Sequence, residues 1–158
     1  MGLFDMFKKK KETQDLSKKY LSTGDKRFDE EDMLKRKDLY EIFKKFQGYE
    51  QTINLDDSRK VSKKVSSLMS ELFSLKIFCK NYNEYLNIFE PFDETIIDRI
   101  DNLNILECMA LTTYIQRQDY LSGGYDSFYL NCTTSGLIPK IINRIISMYE
   151  SREEYGTI

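Results

Sequence analysis

The stretch from Asp56 to Glu90 constrains the fold more than any other part of this chain. Its apolar residues Val61, Val65, Leu68, Leu72, Leu75, Cys79, Tyr82, Leu86 and Phe89 alternate spacings of four and three, which traces one stripe along a helix. Asp56 and Asp57 can accept hydrogen bonds from the free N–H groups of a first turn. Pro91 has no N–H to donate and disfavours helix in the residue before it, so the stripe should stop near Phe89. Unbroken, such a helix would run about 50 Å at about 1.5 Å per residue. In a chain of 158 residues it would have to be the spine. The expected fold is therefore all-α, a single-domain bundle of about five to seven helices around one long central helix at residues 56–90.

A two-stranded coiled coil suits this stretch poorly. With Val65, Leu72, Cys79 and Leu86 at a, the flanking e and g positions include Met69, Phe78 and Tyr85 beside Lys64, Glu71 and Lys76. Coiled-coil dimers prefer charge at those positions. Phe73 and Ile77 widen the apolar surface further, which favours burial among other helices of the same chain. Asn81 and Asn83 mark where the helix would bend.

Other helices announce themselves by their ends. Asp29 is placed to cap a helix reaching Gly48, with Asp32 in its first turn, Phe28 and Met33 spaced as a hydrophobic staple, and Leu39, Ile42, Phe43 and Phe46 on one face. Asp93 can cap a short helix carrying Ile96, Ile97 and Ile100. Asn104 with Glu107 has the spacing of a capping box and opens a helix through Leu106, Met109, Ala110 and Arg117 to the Gly123-Gly124 turn. Asp126 can cap a further short helix ended by Gly136. Pro139 then sits in the first turn of a last helix faced by Ile138, Ile141, Ile142, Ile145 and Tyr149. Residues 13–152 are read as the domain, 1–12 as a flexible basic and apolar segment, and 153–158 as a frayed end.

Charge is unevenly spread. Residues 1–27 hold eight Lys/Arg against four Asp/Glu, and residues 91–158 hold five against ten. An acidic C-terminal half does not suit a phosphate backbone, so nucleic acid is not an expected partner. The chain has no histidine and three scattered cysteines, Cys79, Cys108 and Cys132, without a CxxC pair. The commonest metal ligands and the usual general base are missing, no cofactor is expected, and the thiols fit a reduced, cytoplasmic setting. The N-terminal stretch places Leu3, Phe4, Met6 and Phe7 before Lys8, Lys9, Lys10 and Lys11. Such a segment can dip apolar side chains into a membrane surface while its lysines meet anionic lipid, at the inner face of the membrane; the other reading is a loose end covering a neighbouring groove. Met6 stands where a myristoylation pattern needs Ser or Thr.

Residues 111–145 resemble a small uncharacterised bacterial family. Its pattern is a helix ending in Arg-x-Glu-Arg-Phe-x-x-Gly, a short helix, then Gly-x-Ile and a helix containing Leu-x-Arg-Leu. The corresponding stretch is Arg117-Gln-Asp119-Tyr120-Leu121-Ser-Gly-Gly124, then Gly136-Leu-Ile138, then Ile142-Asn-Arg144-Ile145; Asp119, Tyr120 and Leu121 depart from the commonest letters. The resemblance implies a helical C-terminal module and no activity. From their own chemistry, Arg117 and Asp119 are read as a structural ion pair fixing the turn, with a ligand-binding arginine as the alternative.

No phosphate loop, dinucleotide fingerprint, zinc-binding HExxH or nucleophile-elbow motif is present. The expected class is a non-enzymatic intracellular protein-binding module, in its sharpest form a bacterial immunity protein that occludes a basic toxin domain. A peripheral membrane adaptor and a homo-oligomeric structural protein are the alternatives. Two surfaces combine charge or aromatics with exposure: Tyr120, Tyr125 and Asp126 around the Gly-Gly turn, and the acidic run Asp29, Glu30, Glu31 and Asp32. The acidic run has a second reading, as a complement to the helix dipole.

Overall fold

A computed structural model describes residues 30–77, 95–123 and 126–152, at 126 and 127 by their backbone alone. Every regular element among them is helical. In chain order these are α1 (Glu30–Leu34), α2 (Lys37–Phe46), α3 (Ser58–Ser74), α4 (Thr95–Arg99), α5 (Ile105–Leu121), α6 (Asp126–Thr134) and α7 (Leu137–Glu150). Single 3₁₀ turns at Tyr49–Gln51 and Ile100–Asn102 follow α2 and α4.

The long spine is not what forms. α3 starts as expected, with the Asp57 carboxylate accepting from Lys60 N at 3.2 Å. It ends at Ser74, and Lys76 turns into the left-handed region at φ 57°. Leu75 N donates to Leu72 O at 3.2 Å and Lys76 N to Phe73 O at 2.9 Å, which satisfies carbonyls that a continuing helix would have used. Beyond the turn, Ile77 is fully buried, so the chain changes direction to put that side chain in the core. The part of the expected helix from 78 to 90 lies outside the described residues, as does the Asp93 cap.

The helix expected from Asp29 to Gly48 is also two elements. Arg36 adopts extended backbone at φ −86° and ψ 100°, and its guanidinium grips Asp38 through Nε at 3.2 Å and an NH2 at 3.0 Å. Asp38 in turn accepts from Leu39 N at 2.7 Å. That Arg36 contact holds the Asp38 carboxyl below its ordinary value. The face Leu39, Ile42, Phe43 and Phe46 is buried as the periodicity predicts, and Gly48 carries the left-handed turn at φ 76°.

α5 is the helix the core surrounds. Asn104 and Glu107 form the expected capping box, with bonds of 2.9 Å and 2.8 Å. From Cys108 to Ile115 every residue is buried, including Ala110, the single alanine of the chain. Thr112 and Thr113 are tolerated there because each hydroxyl donates to a carbonyl one turn back, at 2.8 Å. α5 packs against α1 and α7; α7 also packs against α2, α6 and the Ile100–Asn102 turn, and α3 lies along α6 and α2. The α7 face Ile138, Ile141, Ile142, Ile145 and Tyr149 is buried throughout. Each such side chain contributes about 1.5–3 kcal/mol when withdrawn from water.

Polar bonds pin these layers together. Tyr149 donates to Met33 O at 2.6 Å, joining α7 to α1 inside the core. Tyr40 donates to Glu150 at 2.6 Å; with Lys44 at 3.3 Å, it holds the Glu150 carboxyl below its ordinary value. Arg144 Nε donates to Leu103 O at 2.9 Å. The arginine of the Leu-x-Arg-Leu-like stretch therefore holds a loop carbonyl here.

Candidate functional site

Two helix ends build the site. α3 presents Ser66, Met69, Ser70, Phe73 and Ser74, spaced 3, 1, 3 and 1 and hence on one face over its last turns. α5 presents Gln116, Asp119 and Tyr120 in the same rhythm at its own C-terminal end, and Gly123 follows in the turn beyond it. Between them lies a groove of about 710 Å³, with Tyr129 of α6 completing the wall. Both helices stop locally for reasons already visible: the left-handed Lys76 on one side, and Ser122 followed by Gly123 at φ 82° on the other.

The rim is apolar and open to solvent. Phe73 is 67% exposed and Tyr120 68%, and the next residue, Leu121, is 56% exposed. The walls below are polar. Met69 is only 5% exposed and Tyr129 2%, so both lie where the groove meets the core. Burial foremost, then the nearby Asp119 charge, push the Tyr129 phenol above its ordinary value, so it stays protonated at neutral pH. Among the described residues its hydroxyl makes no hydrogen bond. Ser74 donates its hydroxyl proton to Glu71 O at 2.7 Å.

Among the described residues no ion pair joins Arg117 to Asp119. Positions two apart on a helix point to different faces. Arg117 is exposed with its guanidinium 5.9 Å from the centre of the Tyr120 ring, whereas Asp119 is half-buried in the groove wall. Arg117 makes a cation–π contact with Tyr120 at the i, i+3 spacing.

Of the two surfaces singled out from sequence, the structure brings Tyr120 to the groove. Tyr125 and the side chain of Asp126 lie outside the described residues, and so does Asp29. Glu30, Glu31 and Asp32 are exposed on α1, with Glu31 held by Arg152 at 3.2 Å. Glu30 lines a separate shallow depression with Arg144 and Arg152, so the acidic run and Tyr120 are not one site. The segment with Leu3, Phe4, Phe7 and Lys8 to Lys11 is outside the described residues. Sequence reasoning missed Phe73 and Met69, which counted there only as breadth of a buried face. The signal that could have found them is the Ser66, Ser70, Ser74 series on the same face, too polar to be core.

Neither cysteine described offers chemistry. Burial pushes the Cys108 thiol up to about 12 and raises that of Cys132 well above its ordinary value, so both stay protonated and unreactive. Among the described residues, no cluster of three His, Cys, Asp or Glu side chains is placed to hold a metal ion, and no helix is long and apolar enough to cross a membrane. The chain matches no protein-family model, and no curated protein or solved structure matches it.

Proposed function

We propose that this chain is a non-enzymatic protein-binding module, and that the groove between α3 and α5, with Phe73 and Tyr120 at its rim and the exposed Leu121 next to Tyr120 in the chain, is its contact surface. The exposure of these three large side chains carries this reading. Elsewhere among the described residues large apolar groups are buried or partly buried, so this end of the molecule is where water contact is least favourable. Aromatic anchors of this kind dominate the energetics of protein interfaces. The Asp119 carboxylate and the acidic balance of residues 91–158 favour a basic partner. In its sharper form the module is an immunity protein that neutralises a basic toxin domain by covering it.

The test is a comparison of two baits in the native cell: the wild-type chain and a Phe73→Ser/Tyr120→Ala variant. Both substituted side chains are mostly exposed, so the circular-dichroism melt should move by less than a few degrees. A specific partner should be retained by the wild type and lost about tenfold or more from the variant, as expected for anchors worth about 1–2 kcal/mol each. Equal retention on both baits would remove the groove as the contact surface. Expression of the isolated partner, with and without this chain, then decides the sharper form. Growth arrest relieved by the wild type and not by the variant supports it, and a harmless partner ends it.

A further inference from the structure

We infer that the outward face of the first half of α3 is a docking surface for an anionic membrane, separate from the groove at the far end of that helix. Arg59, Lys60, Lys63 and Lys64 make this face. With about 100° between successive residues, they fall on the side opposite the buried Val61, Val65, Leu68 and Leu72. Arg59, Lys60 and Lys63 are exposed; Lys64 is half-buried, its ammonium 5.3 Å from the centre of the Phe46 ring. Two observations set the face apart. The first is its lack of counter-charge. Arg36, Lys44, Lys45, Lys140 and Arg152 each meet a carboxylate, whereas none of these four enters an ion pair among the described residues. α3 carries no acidic residue before Glu71, and Lys45 already holds that one. The second is position: the four cations fill the first two turns, at the end where the helix dipole disfavours positive charge. Asp57 offsets this only as the cap on Lys60 N, with Asp56 beside it outside the helix. Like charges held against the dipole are relieved when an external anion covers them.

The chemistry of the face favours lipid over the other polyanions. It holds no apolar or aromatic side chain, which the buried centre of a protein interface requires. The acidic balance of residues 91–158 opposes a nucleic acid running along the molecule. A lipid surface needs neither apolar contact nor a matching shape, because its diffuse negative potential attracts each nearby Lys or Arg separately. The chain also carries one weak membrane signal in its sequence, Leu3, Phe4 and Phe7 before Lys8 to Lys11. One such signal gives only marginal, reversible binding, and stable attachment takes two. The α3 face supplies the second, on the folded domain itself.

The experiment is co-sedimentation of the full chain with vesicles of phosphatidylcholine, alone or with about 30 mol% phosphatidylserine. The chain should sediment with the anionic vesicles and stay in solution with the neutral ones. Raising salt from about 0.1 M to about 0.5 M should release it. Arg59→Gln/Lys60→Gln/Lys63→Gln should lower the partition coefficient at least about tenfold, since each charge near the surface is worth up to about fivefold. Removing as many charges outside α3, in Lys35→Gln/Lys76→Gln/Lys140→Gln, should lower it less than about threefold. The α3 variant relieves cations at the disfavoured end of a helix, so its melting temperature should be unchanged or slightly raised. If it melts early instead, Lys60→Gln and Lys63→Gln made singly decide, each weakening binding by about threefold to fivefold. Equal sedimentation with neutral and anionic vesicles overturns the inference. So does an α3 variant that binds as tightly as the wild type, or no more weakly than the variant altered outside α3. A chain that ignores anionic vesicles and binds a DNA duplex through Arg59, Lys60 and Lys63 overturns the lipid assignment.

Discussion

Tyr49 and Thr133 meet 84 positions apart in a buried hydrogen bond of 2.5 Å. Burial pushes the Tyr49 phenol above its ordinary value, so the pair is neutral and its worth is that of a satisfied hydroxyl. Thr133→Val keeps the shape of the side chain and removes the hydroxyl, leaving Tyr49 with a buried polar atom and no partner. Urea unfolding should show a loss of about 1–3 kcal/mol. Adding Tyr49→Phe removes the orphaned group, so the double variant should be less destabilised than the sum of the singles by about 1 kcal/mol. Strict additivity would mean the two hydroxyls do not depend on one another. At this scale the sequence is a good guide to caps: Asp57, Asn104 and Glu107 make the bonds their spacing implies, because capping is decided within one turn. It is a poor guide to partners such as Thr133 for Tyr49 or Leu103 for Arg144, which belong to different helices.

Among elements, α3 shows how far a hydrophobic stripe can mislead. Spacings of four and three record which residues would share a helical face; the stripe runs past Lys76 to Cys79, outside the described residues, while Ile77, which is not part of it, is the side chain that enters the core immediately after the turn. Nothing local forbids Lys76 from being helical; its left-handed backbone is imposed by where Ile77 must go. Lys76→Gly separates the two descriptions. At a left-handed position a residue with a Cβ costs about 1–2 kcal/mol, while glycine loses more freedom on folding by about 0.5–1 kcal/mol. The net expectation is an unfolding free energy, read from urea titration, that is unchanged or raised by up to about 1.5 kcal/mol. A drop of about 1 kcal/mol, the ordinary penalty of glycine inside a helix, would restore a continuous helix through residue 76. The break between α1 and α2 is of the same kind. Leu39, Ile42, Phe43 and Phe46 sit where their periodicity says, yet the extended Arg36 and its grip on Asp38 divide the run upstream of them.

For the whole molecule, the decisive fact is that α5 occupies the centre. From Cys108 to Ile115 it is covered on every side, and Ala110 sits fully buried within that stretch. Ala110→Leu should therefore overpack the core and lower stability by about 1–3 kcal/mol or more in a urea titration. A variant as stable as the wild type would place slack beside α5 and reopen the question of which helix is central. The sequence by itself determined the helical class, the capped starts of α3 and α5, the glycine turns at 48, 123 and 136, and the buried face of α7. These follow from local hydrogen-bond geometry and from the contrast between a wet side and a dry side on one helix. Only the tertiary structure decided which helix the others enclose. Periodicity measures a helix divided between two environments, and α5, dry all round from Cys108 to Ile115, has no such contrast to display. The groove was likewise a tertiary decision. Ser66 to Ser74 and Gln116 to Gly123 each carry half of it, and its chemistry exists only because packing brings those two helix ends side by side.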